Sequence, residues 1–122
     1  MRRAALLVVA GFVTVAGVAA AAEPFRQLKG AEIKTRFSGM EFTDDVHWAT
    51  VFAKNGSFAS YEMGAVGKGR WTVVKDELCL TETGAAQRCY QVWASGKDVQ
   101  LRREGMLPED GVLQKPVKRE AR

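Results

Sequence analysis

Between Gly39 and Arg102 the chain consists of short apolar–polar alternations broken by turn-forming pairs, and this feature most limits its folds. Such runs build antiparallel strands joined by hairpins rather than helices. Asn55-Gly56 favours a two-residue type I′ turn. Centred there, a hairpin pairs Phe52 with Ala59, Thr50 with Tyr61 and Trp48 with Met63. Trp48, Phe52, Tyr61 and Met63 then share one face, and Ala49, Val51, Phe58, Ser60 and Glu62 the other. A turn at Lys75-Asp76 sets Val73 opposite Leu78 and Trp71 opposite Leu80. A turn around Gly84 sets Leu78 opposite Tyr90, and one at Ser95-Gly96 sets Val92 opposite Val99 and Tyr90 opposite Leu101. Together these place Trp71, Val73, Leu78, Leu80, Tyr90, Val92, Val99 and Leu101 on a single face, the expected core. A one-residue slip in any hairpin would destroy that agreement, because strand side chains alternate with period two. Arg88 falls opposite Leu80 on the same face and must sit at a rim.

The same register puts Cys79 opposite Cys89 on the outer face, with Thr72, Val74, Gln91 and Trp93. Paired strands bring opposed Cα atoms to about 4.5–5.5 Å, within disulfide reach. Closing a loop of about ten residues contributes roughly 2–3 kcal/mol through the unfolded chain. These are the only cysteines and His47 is the only histidine, so a metal site within one chain lacks ligands and none is expected.

A disulfide needs an oxidising compartment, and the first 22 residues have the form of an export signal. Met1-Arg2-Arg3 is basic, Ala4 to Ala19 is apolar, and Ala20-Ala21-Ala22 offers small residues for cleavage before Glu23. Val18-Ala19-Ala20 is a second cleavage position. No Cys follows the run to carry a lipid, and Arg2-Arg3 lacks the flanks of a twin-arginine signal. The expectation is a periplasmic or secreted protein of about one hundred residues, a size for one domain with a modest core. The whole chain carries 18 Lys and Arg against 14 Asp and Glu, and removal of Arg2 and Arg3 leaves 16 against 14. That small excess gives no nucleic-acid footprint.

Residues 28–38 read as a short helix stopped by Gly39, with Leu28, Ile33 and Phe37 on its buried side. After residue 102 the alternation fades, and Pro108, Gly111 and Pro116 punctuate a stretch ending in Lys115, Lys118, Arg119 and Arg122. The organisation expected is a signal peptide over 1–22, a β domain with an N-terminal helix over 23–102, and a flexible basic tail over 103–122. The fold class is mainly β: an antiparallel meander or small, partly closed barrel with one short helix. Met106, Leu107, Val112 and Leu113 are the residues a folded-back tail would use.

Leu28-x-Gly30-x-x-Ile33, Gly39, Asn55-Gly56, Gly69-Arg70-Trp71 and the hairpin cysteines resemble a largely uncharacterised group of small exported alphaproteobacterial proteins. The resemblance spans residues 28–101 and implies export and the order helix, hairpin, G-x-W strand and two-cysteine hairpin. It carries no active site to this chain. The long basic tail and Lys29, where relatives place a helix-capping hydroxyl, depart from the pattern. In lipocalins the G-x-W motif lies on the first strand, whereas here it is halfway along, so the motif does not imply that family.

No nucleophile motif is present, and His47 with Asp44 and Asp45 reads as a polar turn before a strand rather than as an acid–base pair. Glu41, Asp44 and Asp45 lack the spacing of a calcium loop. The expectation is a non-enzymatic protein without cofactor, acting as a protein-interaction or inhibitor-like module on an envelope or extracellular partner. Its contact patch is placed on the outer sheet face at Trp93, Val74, Thr72 and Gln91, because an apolar ring there must be covered or used. The alternative is a carrier of a small apolar ligand in a cavity behind Trp71, Tyr90 and Tyr61. The basic tail offers weak attraction to an anionic membrane surface.

Overall fold

In the computed structural model, which describes residues 5, 7–14, 17 and 23–119, the alternating segments form a closed antiparallel barrel. A two-residue strand β1 (Arg26–Gln27) and helix α1 (Gly30–Phe37) precede it. The barrel strands are β2 (Met40–Thr43), β3 (Trp48–Phe52), β4 (Ser57–Glu62), β5 (Ala65–Val74), β6 (Glu77–Glu82), β7 (Arg88–Ser95), β8 (Asp98–Arg102) and β9 (Glu109–Gln114). Each pairs with its sequence neighbour, and β9 pairs back on β2, which closes eight strands and removes the open edges of a sheet. β1 pairs with β7 through Arg26–Ala94 and Gln27–Trp93, beyond the Glu77–Gln91 pair that ends the β6 ladder. The described residues before Glu23 form no helix or strand, and Ala20-Ala21-Ala22 lies outside the described residues, as does Arg122.

Two of the four expected registers hold residue for residue. Val73 faces Leu78 and Trp71 faces Leu80 across β5–β6, and Leu78 faces Tyr90 and Cys79 faces Cys89 across β6–β7. Arg88 lies opposite Leu80 and is exposed, at the rim. The β7–β8 turn sits one residue later than expected, at Gly96-Lys97, so Val92 faces Leu101 and Ala94 faces Val99. That displaces the pairing by two residues, an even number, and every side chain keeps its face.

The Asn55-Gly56 hairpin departs by an odd step. Gly56 N–H donates to the Ala53 carbonyl at 3.1 Å and Ala53 N–H to the Ser57 carbonyl at 2.8 Å. The loop therefore holds Lys54, Asn55 and Gly56, with Gly56 at φ +89°, the three-residue form in which glycine takes the left-handed position. Phe52 now faces Phe58, Thr50 faces Ser60 and Trp48 faces Glu62. Phe58 turns into the core, Tyr61 turns outward, and Met63 leaves the strand for the β4–β5 turn. Gly69 makes room for this arrangement, since a Cβ there would stand 2.7 Å from the Phe58 ring.

The segment expected as a tail from residue 103 is corrected in the same way. Residues 103–108 form a loop, and Glu109–Gln114 is β9, with Leu113 opposite Phe42 and buried. Gly111 hides the alternation, because it occupies an inward position where Phe42 leaves no space for a side chain.

The core unites Leu28, Ile33, Phe37, Phe42, Phe52, Phe58, Trp71, Leu78, Leu80, Tyr90, Val92, Val99, Leu101 and Leu113. Phe52 meets Phe37 and Trp71 edge-on, at ring-centroid distances of 5.2 and 5.6 Å. Trp71 also donates its indole N–H to the Ala53 carbonyl at 2.9 Å, which ties the G-x-W strand to the β3–β4 loop.

Candidate functional site

The two ends of the barrel are built differently. At one end lie the β3–β4, β5–β6 and β7–β8 turns, and α1 covers them with Ile33 and Phe37 fully buried. Lys29 has no side-chain oxygen with which to cap the helix. Asp76, in the β5–β6 turn, accepts the Gly30 N–H at 2.8 Å instead. Arg36 donates to the Gly96 carbonyl at 2.5 Å, and Gly39, at φ +75°, donates to the Phe52 carbonyl at 2.7 Å. Arg26 clamps Glu32 with hydrogen bonds of 3.0 and 2.8 Å and lowers the Glu32 carboxyl to about 2, with help from the Lys29 N–H.

The opposite end carries the loops after β2, β4, β6 and β8, and no helix among the described residues covers it. Between the strands opens a cavity of about 300 Å³. Its walls are Phe42, Phe58, Leu80, Tyr90 and Leu101, with Trp48 nearer the mouth. Glu62, Glu82, Arg88 and Glu109 also line it, each placed on an inward register position by its partner. Gly67 supplies the space for this charge, since a Cβ there would run into the Glu82 carboxylate and the Ser60 hydroxyl. Around the mouth the loops expose Val46, Met63, Met106 and Leu107, at 78, 80, 65 and 89 % of their full surface.

Met63 is held at φ 49° beside Gly64 at +85°, a pair of left-handed positions for which Asn-Gly is the favoured sequence. A methionine there gives up local stability to present a thioether to solvent.

Val46 and its loop are shaped by Asp44, whose Oδ1 accepts the N–H groups of Val46, His47 and Trp48 at 3.0, 2.7 and 3.0 Å. Desolvation pushes the Asp44 carboxyl up, but those N–H groups and the His47 ring outweigh it and hold the group well below the usual carboxylate range. His47 therefore braces a loop. Glu41 is buried and pairs with Arg119, while Gln114 donates to both Glu41 and Asp45. The carboxylates weighed for calcium are thus engaged with the protein itself.

The chain after β9 crosses the outer face of the barrel, where Arg119 stacks 4.5 Å from the centre of the Tyr61 ring. Tyr61, expected on the core face, is the platform for this strap.

Trp93, Val74, Thr72 and Gln91 do share the outer face, alongside the Cys79–Cys89 disulfide. Val74 and Gln91 each lie opposite Glu77, Gln91 also opposite Arg102, and Thr72 opposite Cys79. Trp93 is half-buried: the Arg102 guanidinium lies 4.1 Å above its ring, Gln91 accepts its indole N–H at 3.2 Å, and Gln27 of β1 flanks it. The indole is covered by neighbouring strands, and the patch around it is largely polar, with Val74 exposed at its edge. Glu77 stands beside the two sulfurs, but bonded sulfurs offer a metal no thiolate.

The sequence reading found Arg88 at the rim but missed Glu62, Glu82 and Glu109. Glu62 was assigned to the wrong face by the odd slip, and Glu109 fell in the supposed tail. Glu82 was legible, two residues beyond Leu80 on the core face. In comparisons with family models, curated proteins and solved structures, the chain matches none.

Proposed function

We propose that this protein is a small exported binding module without enzymatic activity, held by one disulfide, that docks a protein partner through the open end of its barrel. The carrying observation is the asymmetry of the ends. Tight turns and a helix seal one, while three of the four loops at the other hold large apolar side chains out in water around a cavity. A folded chain gains nothing from that exposure by itself, and apolar clusters rimmed by charge are a common form of interaction surface. The disulfide and the leader support action in the periplasm or outside the cell. The loops of the open end thus replace the Trp93 face as the contact surface. The Arg119–Glu41 pair also removes one cation from the tail's expected contact with anionic lipid.

The test is site-specific photocrosslinking in intact cells, with the reactive group at Leu107 or, as control, at Lys97 on the sealed end. A discrete protein adduct from position 107 alone is expected. Equal labelling from both positions, or none from 107, refutes docking by the open end.

A second reading, carriage of a small molecule, draws support from the mouth cavity, whose volume is at the lower end for ligand pockets. Glu62, Glu82, Arg88 and Glu109 make it a poor chamber for an entirely apolar guest. Native mass spectrometry of the oxidised envelope protein separates the readings: retained small-molecule mass favours the carrier. The same spectrum reports whether the chain begins at Glu23.

A further inference from the structure

Resting on the docking proposed above, we infer that the barrel mouth is a socket for one cationic side chain, lysine or arginine, presented by the partner. Three carboxylates, Glu62, Glu82 and Glu109, line the mouth against the single guanidinium of Arg88, and among the described residues none of the four forms an ion pair. The mouth is therefore short of positive charge, by contrast with Glu32 and Glu41, each of which has an arginine of its own.

A separate observation points the same way. Tyr90 is only 6 % exposed and lines the cavity, yet its hydroxyl has no hydrogen-bond partner among the described residues. The hydroxyl opens to the cavity, where a polar group arriving from the mouth can meet it.

The walls define the remainder of the guest. Trp48, Phe42, Phe58 and Leu101 form an apolar sleeve suited to the methylene stem of lysine or arginine, and an indole face attracts a cation. The stem would lie along the sleeve, the ammonium or guanidinium would meet the carboxylates, and the Tyr90 oxygen would accept one N–H. A cavity of about 300 Å³ has ample room for one such side chain. An anionic guest would meet three carboxylates and is excluded.

The test titrates the oxidised protein with N-acetyl-lysine methylamide and, separately, with the same compound acetylated on Nζ, while following amide and indole NMR signals. Saturable shifts confined to Trp48, Tyr90 and their neighbours are expected for the free amine and not for the acetylated one. In the variant E62Q/E82Q/E109Q, affinity for the amine should fall about tenfold, as the loss of several exposed ion pairs implies. The variant's own spectrum verifies its fold. No shifts at the mouth, or equal shifts with the acetylated compound or in the variant, would overturn the socket. The crosslink at Leu107 keeps the two ideas separable. If it persists in the variant at full yield, docking stands and the socket fails. If the amine binds but no crosslink forms, the socket stands as a site and docking fails.

Discussion

The sealed and open ends of this barrel solve the same problem, ending eight strands, with opposite chemistry. At the sealed end every turn is engaged: Asp76 and Gly96 hold α1, and Gly39 bonds back to Phe52. At the open end Asp44 bonds three consecutive N–H groups of its own loop, and the loops turn Val46, Met63 and Leu107 outward. Stability is concentrated at one end and exposed apolar surface at the other. The lesson is that the apolar side chains turned outward at the open end add nothing to core packing, which leaves those positions free to be chosen for contact.

The largest test of that division removes an aromatic ring from each end. Phe37→Ala, beneath the helix and in edge contact with Phe52, should lower unfolding free energy by about 3–5 kcal/mol in chemical denaturation. Leu107→Ala, in the open loop, should change it by less than about 0.5 kcal/mol while weakening the crosslink. Equal losses at the two positions would mean that the open end is also part of the folded core.

The disulfide lies between these extremes, on the outer face of β6–β7. Replacing Cys79 and Cys89 together by serine should cost about 2–3 kcal/mol, because a short loop in the unfolded chain is released. The denaturation midpoint under reducing conditions should then coincide for variant and parent. A persisting difference would assign the loss to packing of the buried Cys79 instead.

Much of this architecture was legible, and the exceptions have a common cause. The β5 to β8 registers agreed because several apolar pairs constrain each hairpin, and the two-residue offset at Gly96 was harmless to parity. The β3–β4 hairpin rested on the Asn55-Gly56 pair alone, which fits both two- and three-residue loops. One odd step misplaced Phe58 and Tyr61 together. β9 was hidden by Gly111, a core position without a side chain. The acidic mouth was illegible for a further reason: it exists only when strand ends far apart in sequence converge. Trp93 drew attention by its size, but no local pattern announces that Arg102 will cover it.

Met63 offers a smaller and more pointed test of the same contrast. Met63→Asn places the favoured residue at a left-handed turn position and should raise stability by a few tenths of a kcal/mol up to about 1 kcal/mol. It should also reduce crosslinking from Leu107. A variant that is less stable would show that the methionine packs usefully on the fold, and would remove one support from the docking end.

Acid provides the finest comparison, because each end carries one carboxylate with a lowered pKa. Glu32 belongs to the sealed end, where Arg26 brings its carboxyl from an ordinary 4.5 to about 2. Asp44 belongs to the open end, where backbone N–H groups and His47 outweigh desolvation and hold its carboxyl well below the usual carboxylate range. For both, the folded state binds protons less readily than the unfolded chain, so stability falls as pH falls. The Glu32 contribution is complete above 4.5 and is lost on the way down to about 2, whereas Asp44 should hold its loop to more acidic conditions. Both groups lie at the surface, so the effect on global stability is small and is best read locally, from carboxyl carbon NMR shifts during titration. The expected order is Glu32 first and the Asp44 loop second. The reverse order would mean that the open loop is held less firmly than its hydrogen bonds imply, and that its apolar side chains are not presented in a fixed arrangement.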